Sequence, residues 1–119
     1  GCATCHRTEP YTTTVVDVQA LSDELITPFT DLLLHDLGPG LADDLPQGVA
    51  SGSEWRTAPL WGIGLTSVVG HEHYLHDGRA RSVEEAILWH GGEAESAKQS
   101  FMGLAAPDRA LILRFLSAL

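Results

Sequence analysis

The residues best suited to chemistry stand together at Cys2, Cys5 and His6, in C-A-T-C-H. Two thiols at this spacing can add to the two vinyl groups on one edge of a porphyrin, and the adjacent imidazole then reaches the iron. One residue more or fewer would misplace the ring. C-x-x-C also serves as a redox pair or as half of a zinc site. A thioredoxin-like pair follows a buried strand inside a βαβ unit, and no such segment stands before Cys2. A zinc site needs two more ligands, and there is no second C-x-x-C. The expectation is one covalent c-type haem on Cys2 and Cys5 with His6 as axial ligand, ahead of the zinc and redox readings.

The other axial position then has six candidates: Met102, His35, His71, His73, His76 and His90. A Met ligand is the usual electron-transfer choice, but Met102 lies beside Phe101, where filling a core gap is the simpler role. His90 comes at the end of a capped helix, immediately before Gly91 and Gly92, where a side chain is placed reproducibly and the backbone can approach a flat ring. A histidine there also suits the helix dipole without any ligand role. His71, His73 and His76 crowd a polar G-H-E-H-Y-L-H-D-G stretch, with Glu72 and Asp77 nearby. They are read as solvated or bonded to a cofactor edge rather than as a second metal site. His35, after an apolar run, is read as the supporting partner of a ligand or as a satisfied buried imidazole.

Elements must position these groups. Ser82 to Glu85 forms a capping box that opens a helix through Trp89 or His90, stopped by Gly91 and Gly92. Glu93 to Gly103 is a second helical stretch, with Ala97, Phe101 and Leu104 as a loose stripe. Pro107 suits the first turn of a last helix, whose stripe is Leu111, Ile112, Phe115, Leu116 and Leu119. Val15 to Ala20 is read as short and extended. Residues 21–54, rich in Pro and Gly, are read as a long wrapping loop that needs a large body to pack against. Pro59 to Val69 is apolar and is expected to start as a helical turn. The fold class expected is mostly α, with much loop.

Composition bounds the rest. The chain has 119 residues, 44% of them hydrophobic, which fits one domain with a modest core. Sixteen acidic against seven basic residues give a formal charge of −9, and Lys98 is the only lysine. That balance argues against nucleic acid as a partner. It favours basic or neutral proteins. No run of apolar residues is long enough for a membrane span.

The motifs together make the chain recognisable. It resembles the C-terminal haem domain of the bacterial di-haem oxidoreductases, also labelled thiol oxidoreductases, relatives of the di-haem cytochrome c peroxidases. The matching segments are C-A-T-C-H at 2–6, F-T-D-L-L-L-H-D-L-G-P-G-L-A-D at 29–43 and S-G-S-E-W-R-T-A-P-L-W-G at 51–62. Further matches are Y-L-H-D-G-R-A-R-S-V-E-E-A-I-L-W-H-G-G-E-A at 74–94 and the final D-R-A-L-I-L-R-F-L. The resemblance implies a cytochrome c-like domain over residues 1–119. In it, Cys2 and Cys5 carry the thioethers and His6 the proximal bond. His90 falls where the peroxidase relatives place their distal ligand, which makes bis-His ligation through His6 and His90 the leading reading over Met102. Arg56 matches a basic residue that pairs with a haem propionate, the alternative being a surface ion pair with Glu54. His35 and Trp61 complete the expected cofactor-binding set.

Cytochrome c domains normally have a helix ahead of the haem motif that packs on the last helix, and here only Gly1 precedes Cys2. The first helix is thus expected to be missing. The last helix is expected to be covered by another chain, such as a second copy, or by a further part of a longer protein. The function expected is electron transfer with redox proteins or a second haem domain as partners. Peroxidase-type catalysis at this iron and a haem-stacking subunit of a conductive multimer are the alternatives. Covalent haem is installed outside the cytoplasm, so a periplasmic or exported location is expected.

Overall fold

A computed structural model describes residues 1–14 and 17–119. Among these, regular structure is sparse. Three short helices are α1, Val83–Trp89, α2, Glu95–Met102, and α3, Ala106–Leu116. Four short strands make two separate antiparallel ribbons. In one, β1 (Tyr11–Thr12) pairs with β2 (Leu25–Ile26), with Tyr11 opposite Ile26. In the other, β3 (Leu34–Asp36) pairs with β4 (Glu54–Arg56), with His35 opposite Trp55. Single 3₁₀ turns lie at Cys2–Thr4, Gln19–Leu21, Ile63–Leu65 and Gly92–Ala94. Among the described residues no helix is long and apolar enough to cross a membrane.

The expected mostly α, cytochrome c-like fold is therefore corrected. The helices are short, two ribbons stand beside them, and most of the chain is loop. The 21–54 segment is not one wrapping loop, because it holds β2 and β3 and runs into β4. The apolar Leu32–Leu34 run ends in a strand because β4 offers it a ladder. Of the Val15–Ala20 stretch, Val15 and Val16 lie outside the described residues, and Gln19 and Ala20 sit in a 3₁₀ turn rather than a strand. The apolar 59–69 segment has its helical turn at Ile63–Leu65, past Pro59.

The helix signals fare better. The Ser82 hydroxyl accepts the Glu85 N–H at 3.0 Å, as an N-cap should. The Glu85 carboxylate does not close the box on Ser82. It reaches one residue further and accepts the Arg81 N–H at 3.0 Å. His90 is the C-cap in an extended conformation. Pro107 and Asp108 open α3, and Arg114 sits in its last turn, matching the helix dipole.

The core is small. Leu41, Ala80, Phe101 and Leu116 are the buried apolar residues among those described. α1 packs against α2 and α3. Leu116 anchors α3, while Leu111 and Phe115 remain 60% and 51% exposed. The Phe115 ring meets Phe29 edge-on, centroids 5.8 Å apart. Through that contact α3 supports the loop that bonds to His6 of the C-A-T-C-H motif.

Candidate functional site

Cys2, Cys5 and His6 are carried on the first 3₁₀ turn and the residues that follow it. The His6 N–H bonds back to the Cys2 carbonyl at 2.9 Å, which fixes the imidazole relative to the thiols. The His6 ring is oriented from across the chain, where Nδ1 stands 3.0 Å from the Phe29 carbonyl oxygen. A carbonyl only accepts, so Nδ1 carries the proton and Nε2 keeps a free lone pair. This is the tautomer a metal-binding imidazole needs. Burial lowers the pKa of His6, the Phe29 carbonyl works against that, and the nearby charge of His90 lowers it further.

His90 is built the same way. Its Nδ1 lies 2.7 Å from the Ala86 carbonyl, one helical turn back, so its Nε2 is free as well. The chain direction after His90 is fixed by close backbone approach. A Cβ on Gly91 would come within 2.9 Å of the Leu37 carbonyl oxygen, and one on Gly92 would overlap the Asp36 carbonyl. Gly92 also has φ of +52°, which glycine adopts without strain. The turn after His90 thus lies directly on the end of β3.

The loop that holds His6 is strained and tied down at Thr30. Phe29 and Leu32 both have left-handed φ, +56° and +59°. Bulky residues adopt that region at a cost of about 1–2 kcal/mol each. Thr30 between them is wholly buried. Its hydroxyl donates to the Thr57 carbonyl at 2.7 Å and accepts the Leu32 N–H at 3.0 Å, while its carbonyl accepts the Tyr11 hydroxyl at 2.8 Å. These bonds hold the two strained residues in place.

Asp31, Cys5 and His35 converge beside the motif, their ligating atoms all within 4.8 Å of one another. The trio does not suit a metal ion. Both nitrogens of His35 are engaged, Nε2 with Asp31 and Nδ1 with Glu93, each at 2.9 Å. An imidazole between two carboxylates donates from both nitrogens and has no lone pair left. Glu93, then Asp31, raise the pKa of His35 accordingly. The Asp31 carboxyl, only 4% exposed, is held at about 2: its burial opposes ionisation, but bonds from the Leu33 N–H, Thr57 and His35 outweigh it. Burial and then the charges of Asp31 and Glu93 push the Cys5 thiol up. A thiol so placed is a poor nucleophile near neutrality, unlike that of a redox pair.

The other sequence candidates are dispersed. Arg56 is exposed on β4 opposite Leu34. Neighbouring strand residues face opposite sides, so Arg56 points away from the face that carries Trp55 and His35. Among the described residues no ion pair joins it to Glu54, whose carboxylate accepts the Ser51 N–H at 2.8 Å. Trp61 is half exposed, just ahead of the Ile63–Leu65 turn, and Met102 is half exposed at the end of α2. His71 and His73 are exposed. His76 is exposed too but stacks on Trp55, with ring centroids 3.6 Å apart and planes 14° from parallel. Sequence reasoning missed Phe29, Thr30, Asp31, Trp55, Thr57 and Glu93. All six lie in the segments that carry the resemblance, but only Asp31 had a signal of its own, in its i, i+4 spacing to His35.

Three observations test whether a haem fits here. Two imidazoles, one on the motif and one eighty-four positions away, each have Nδ1 tied to a backbone carbonyl and Nε2 free. The buried apolar core is too small for the apolar content of the chain, leaving Leu32, Leu33, Leu88 and Trp89 among the exposed side chains near the motif loop and α1. The indole N–H of Trp55 is buried with no acceptor among the described residues, and a propionate is an acceptor. The residues fit the group. Such a site defines a haem-binding class of protein. A sequence model of the family described as di-haem oxidoreductase, putative peroxidase, matches residues 1–119, and the chain belongs to that family. Haem binding and oxidoreductase chemistry come with that membership. No curated protein and no solved structure matches the chain.

Proposed function

We propose that residues 1–119 form one haem domain that transfers electrons through a covalently attached c-type haem. In this reading Cys2 and Cys5 carry the thioethers, and His6 and His90 are the two axial ligands. The bound haem supplies a one-electron ferric–ferrous couple. The protein residues hold that couple in a fixed environment. The Phe29 and Ala86 carbonyls keep the protons of His6 and His90 on Nδ1, so both Nε2 atoms remain ligands. Gly91 and Gly92 let the turn after His90 lie close on the end of β3, and both imidazoles stay bound, so little has to reorganise between oxidation states. The observation that carries the reading is the matched tautomer control of two imidazoles, each with Nδ1 on a backbone carbonyl and Nε2 free.

A firmly held second imidazole disfavours peroxide chemistry at this iron, which needs an open position and an acid–base group above it. The peroxidase activity in the family's description is better placed at another haem, fed by electrons from this one. The acidic surface suits basic redox partners or a second haem domain at low ionic strength. A periplasmic or exported location goes with this reading, because covalent haem is installed outside the cytoplasm. Trp61 keeps its proposed contact to the cofactor edge, and Trp55 takes the place of Arg56 as propionate donor, because Arg56 lies on the other face of the ribbon. The test is the ferric spectrum of the haem-loaded chain by visible absorption and electron paramagnetic resonance. Low-spin bis-imidazole signals are expected. A high-spin or sulfur-ligated iron, or a preparation without covalent haem, overturns the proposal.

A further inference from the structure

His35 joins the two halves of the site. Its Nε2 bonds to Asp31, two residues beyond the Phe29 carbonyl that orients His6. Its Nδ1 bonds to Glu93, three residues beyond His90. The other oxygen of the Glu93 carboxylate accepts the Asp36 N–H at 3.0 Å. Glu93 therefore spans two consecutive residues of β3, and the turn that follows His90 lies at Gly91, Gly92 and Glu93 against that strand and Leu37 just beyond it. The two backbone approaches exclude a Cβ but supply no attraction. The attractive part of the contact comes from Glu93, and His35 is the charged group that holds it. The bridge also adjoins the Leu33 N–H, which donates to Asp31 at 3.0 Å, Cys5, whose sulfur lies within 4.8 Å, and Trp55, opposite His35 across the ribbon.

We propose that His35, bridging Asp31 and Glu93, is a positioning residue that keeps His90 in place as the second axial ligand and thereby closes the iron to external ligands. The inference rests on the bis-His reading above and adds a residue that touches neither the iron nor the imidazole it controls. Loss of the bridge frees the turn after His90 while leaving the Ala86 carbonyl and the His6 support untouched. The sixth position should then open part of the time.

The test compares the haem-loaded chain with His35→Ala and Glu93→Gln, using cyanide as the probe of an open ferric site. Glu93 is more than half exposed, so Glu93→Gln tests the bridge even where His35→Ala fails to load haem. Cyanide binding is expected to accelerate by about tenfold or more in each, the factor that corresponds to one lost interaction of ordinary strength. A high-spin component is expected in the ferric spectrum. Because both variants break one bridge, the double variant should bind cyanide no faster than the faster single one. Removal of a cation beside the haem by His35→Ala should also lower the midpoint potential. Wild-type rates and spectra in both variants, with the parent low-spin and bis-His, overturn this inference alone. A parent that is high-spin or lacks haem overturns the axial assignment and this inference with it.

Discussion

The Phe29 carbonyl oxygen lies 3.0 Å from Nδ1 of His6, and Phe29 reaches that position only by adopting a left-handed φ of +56°. The imidazole of the C-A-T-C-H motif is thus oriented by a strained residue 23 positions away. Strain of this kind persists where surrounding bonds over-determine it. Here those bonds converge on Thr30, next in the chain, whose hydroxyl and carbonyl fasten the loop to β4's continuation and to Tyr11.

Thr30→Val keeps the shape of the side chain and removes both hydroxyl bonds. The Thr57 carbonyl loses a donor and the Leu32 N–H loses an acceptor in a buried setting. A loss of about 1–3 kcal/mol is expected from chemical denaturation of the haem-loaded chain. The His6 orientation should loosen with it, broadening the low-spin signal. A stability change under about 0.5 kcal/mol, the range of ordinary surface substitutions, would show that Thr30 does not hold the loop.

His90→Ala and Met102→Ala separate the two candidates for the second axial position. His90→Ala should convert low-spin ferric iron to a high-spin form that takes up cyanide and, in time, other small ligands. Met102, half exposed at the end of α2, should be replaceable by Ala with the spectrum unchanged. The reverse pattern would move the ligand to Met102 and remove the bis-His reading.

Gly92 and Gly40 make a matched pair for the backbone argument. Gly92→Ala forces a Cβ into the Asp36 carbonyl and a left-handed φ on alanine. The φ alone costs about 1–2 kcal/mol, and the steric contact adds to it by pushing the turn off β3. Gly40 has nothing within 4 Å of its Cβ position and no left-handed φ. Gly40→Ala should be neutral or stabilising by up to about 1 kcal/mol. Equal effects in thermal unfolding would mean that the turn after His90 is not packed as described.

Trp55→Phe keeps a ring to stack on His76 and deletes the buried N–H that lacks an acceptor. If that N–H faces a propionate, the variant should raise the propionate pKa and so change the pH dependence of the midpoint potential. An identical potential–pH curve would place the indole away from the cofactor.

What was legible in the sequence follows the range of the interactions. The Ser82 cap, the Gly91–Gly92 stop and Pro107 are local signals: α1 begins and ends, and α3 begins, where these residues dictate. The β3–β4 ribbon was hidden because its partners are separated by the Pro- and Gly-rich 38–52 stretch, and neither strand alone is long enough to show period-2 alternation. The Asp31–His35 spacing imitates a helix face yet belongs to a strained turn and a strand. Glu93, 58 residues from His35, has no local mark of its role. A charge pair of that separation is visible only once β3 and the turn after His90 are brought together.

The bridge also fixes how stability depends on pH. Asp31 has its pKa lowered from 3.8 to about 2 in the fold. A depressed carboxyl contributes stability that is present above its unfolded value and is lost as the pH falls through the folded one. That contribution should be complete above about pH 4 and fade toward pH 2. His35 has its pKa raised above 6.5, by Glu93 first and Asp31 second, with desolvation opposing. A raised imidazole contributes stability that is fully present below 6.5 and is lost as the pH rises through the folded value. The bridge should therefore stabilise most between roughly pH 4 and 6.5 and weaken on either side. The groups that face it from each packed element are Asp31, Glu93, Cys5 and, at longer range, His6 and Asp36. The measurement is the difference in thermal midpoint between the parent and Asp31→Asn from pH 2 to 9. The gap should be widest on that plateau, shrink to nothing at the acid end and narrow above neutrality. A gap that is flat across the range would mean that the three side chains are not one ionised unit.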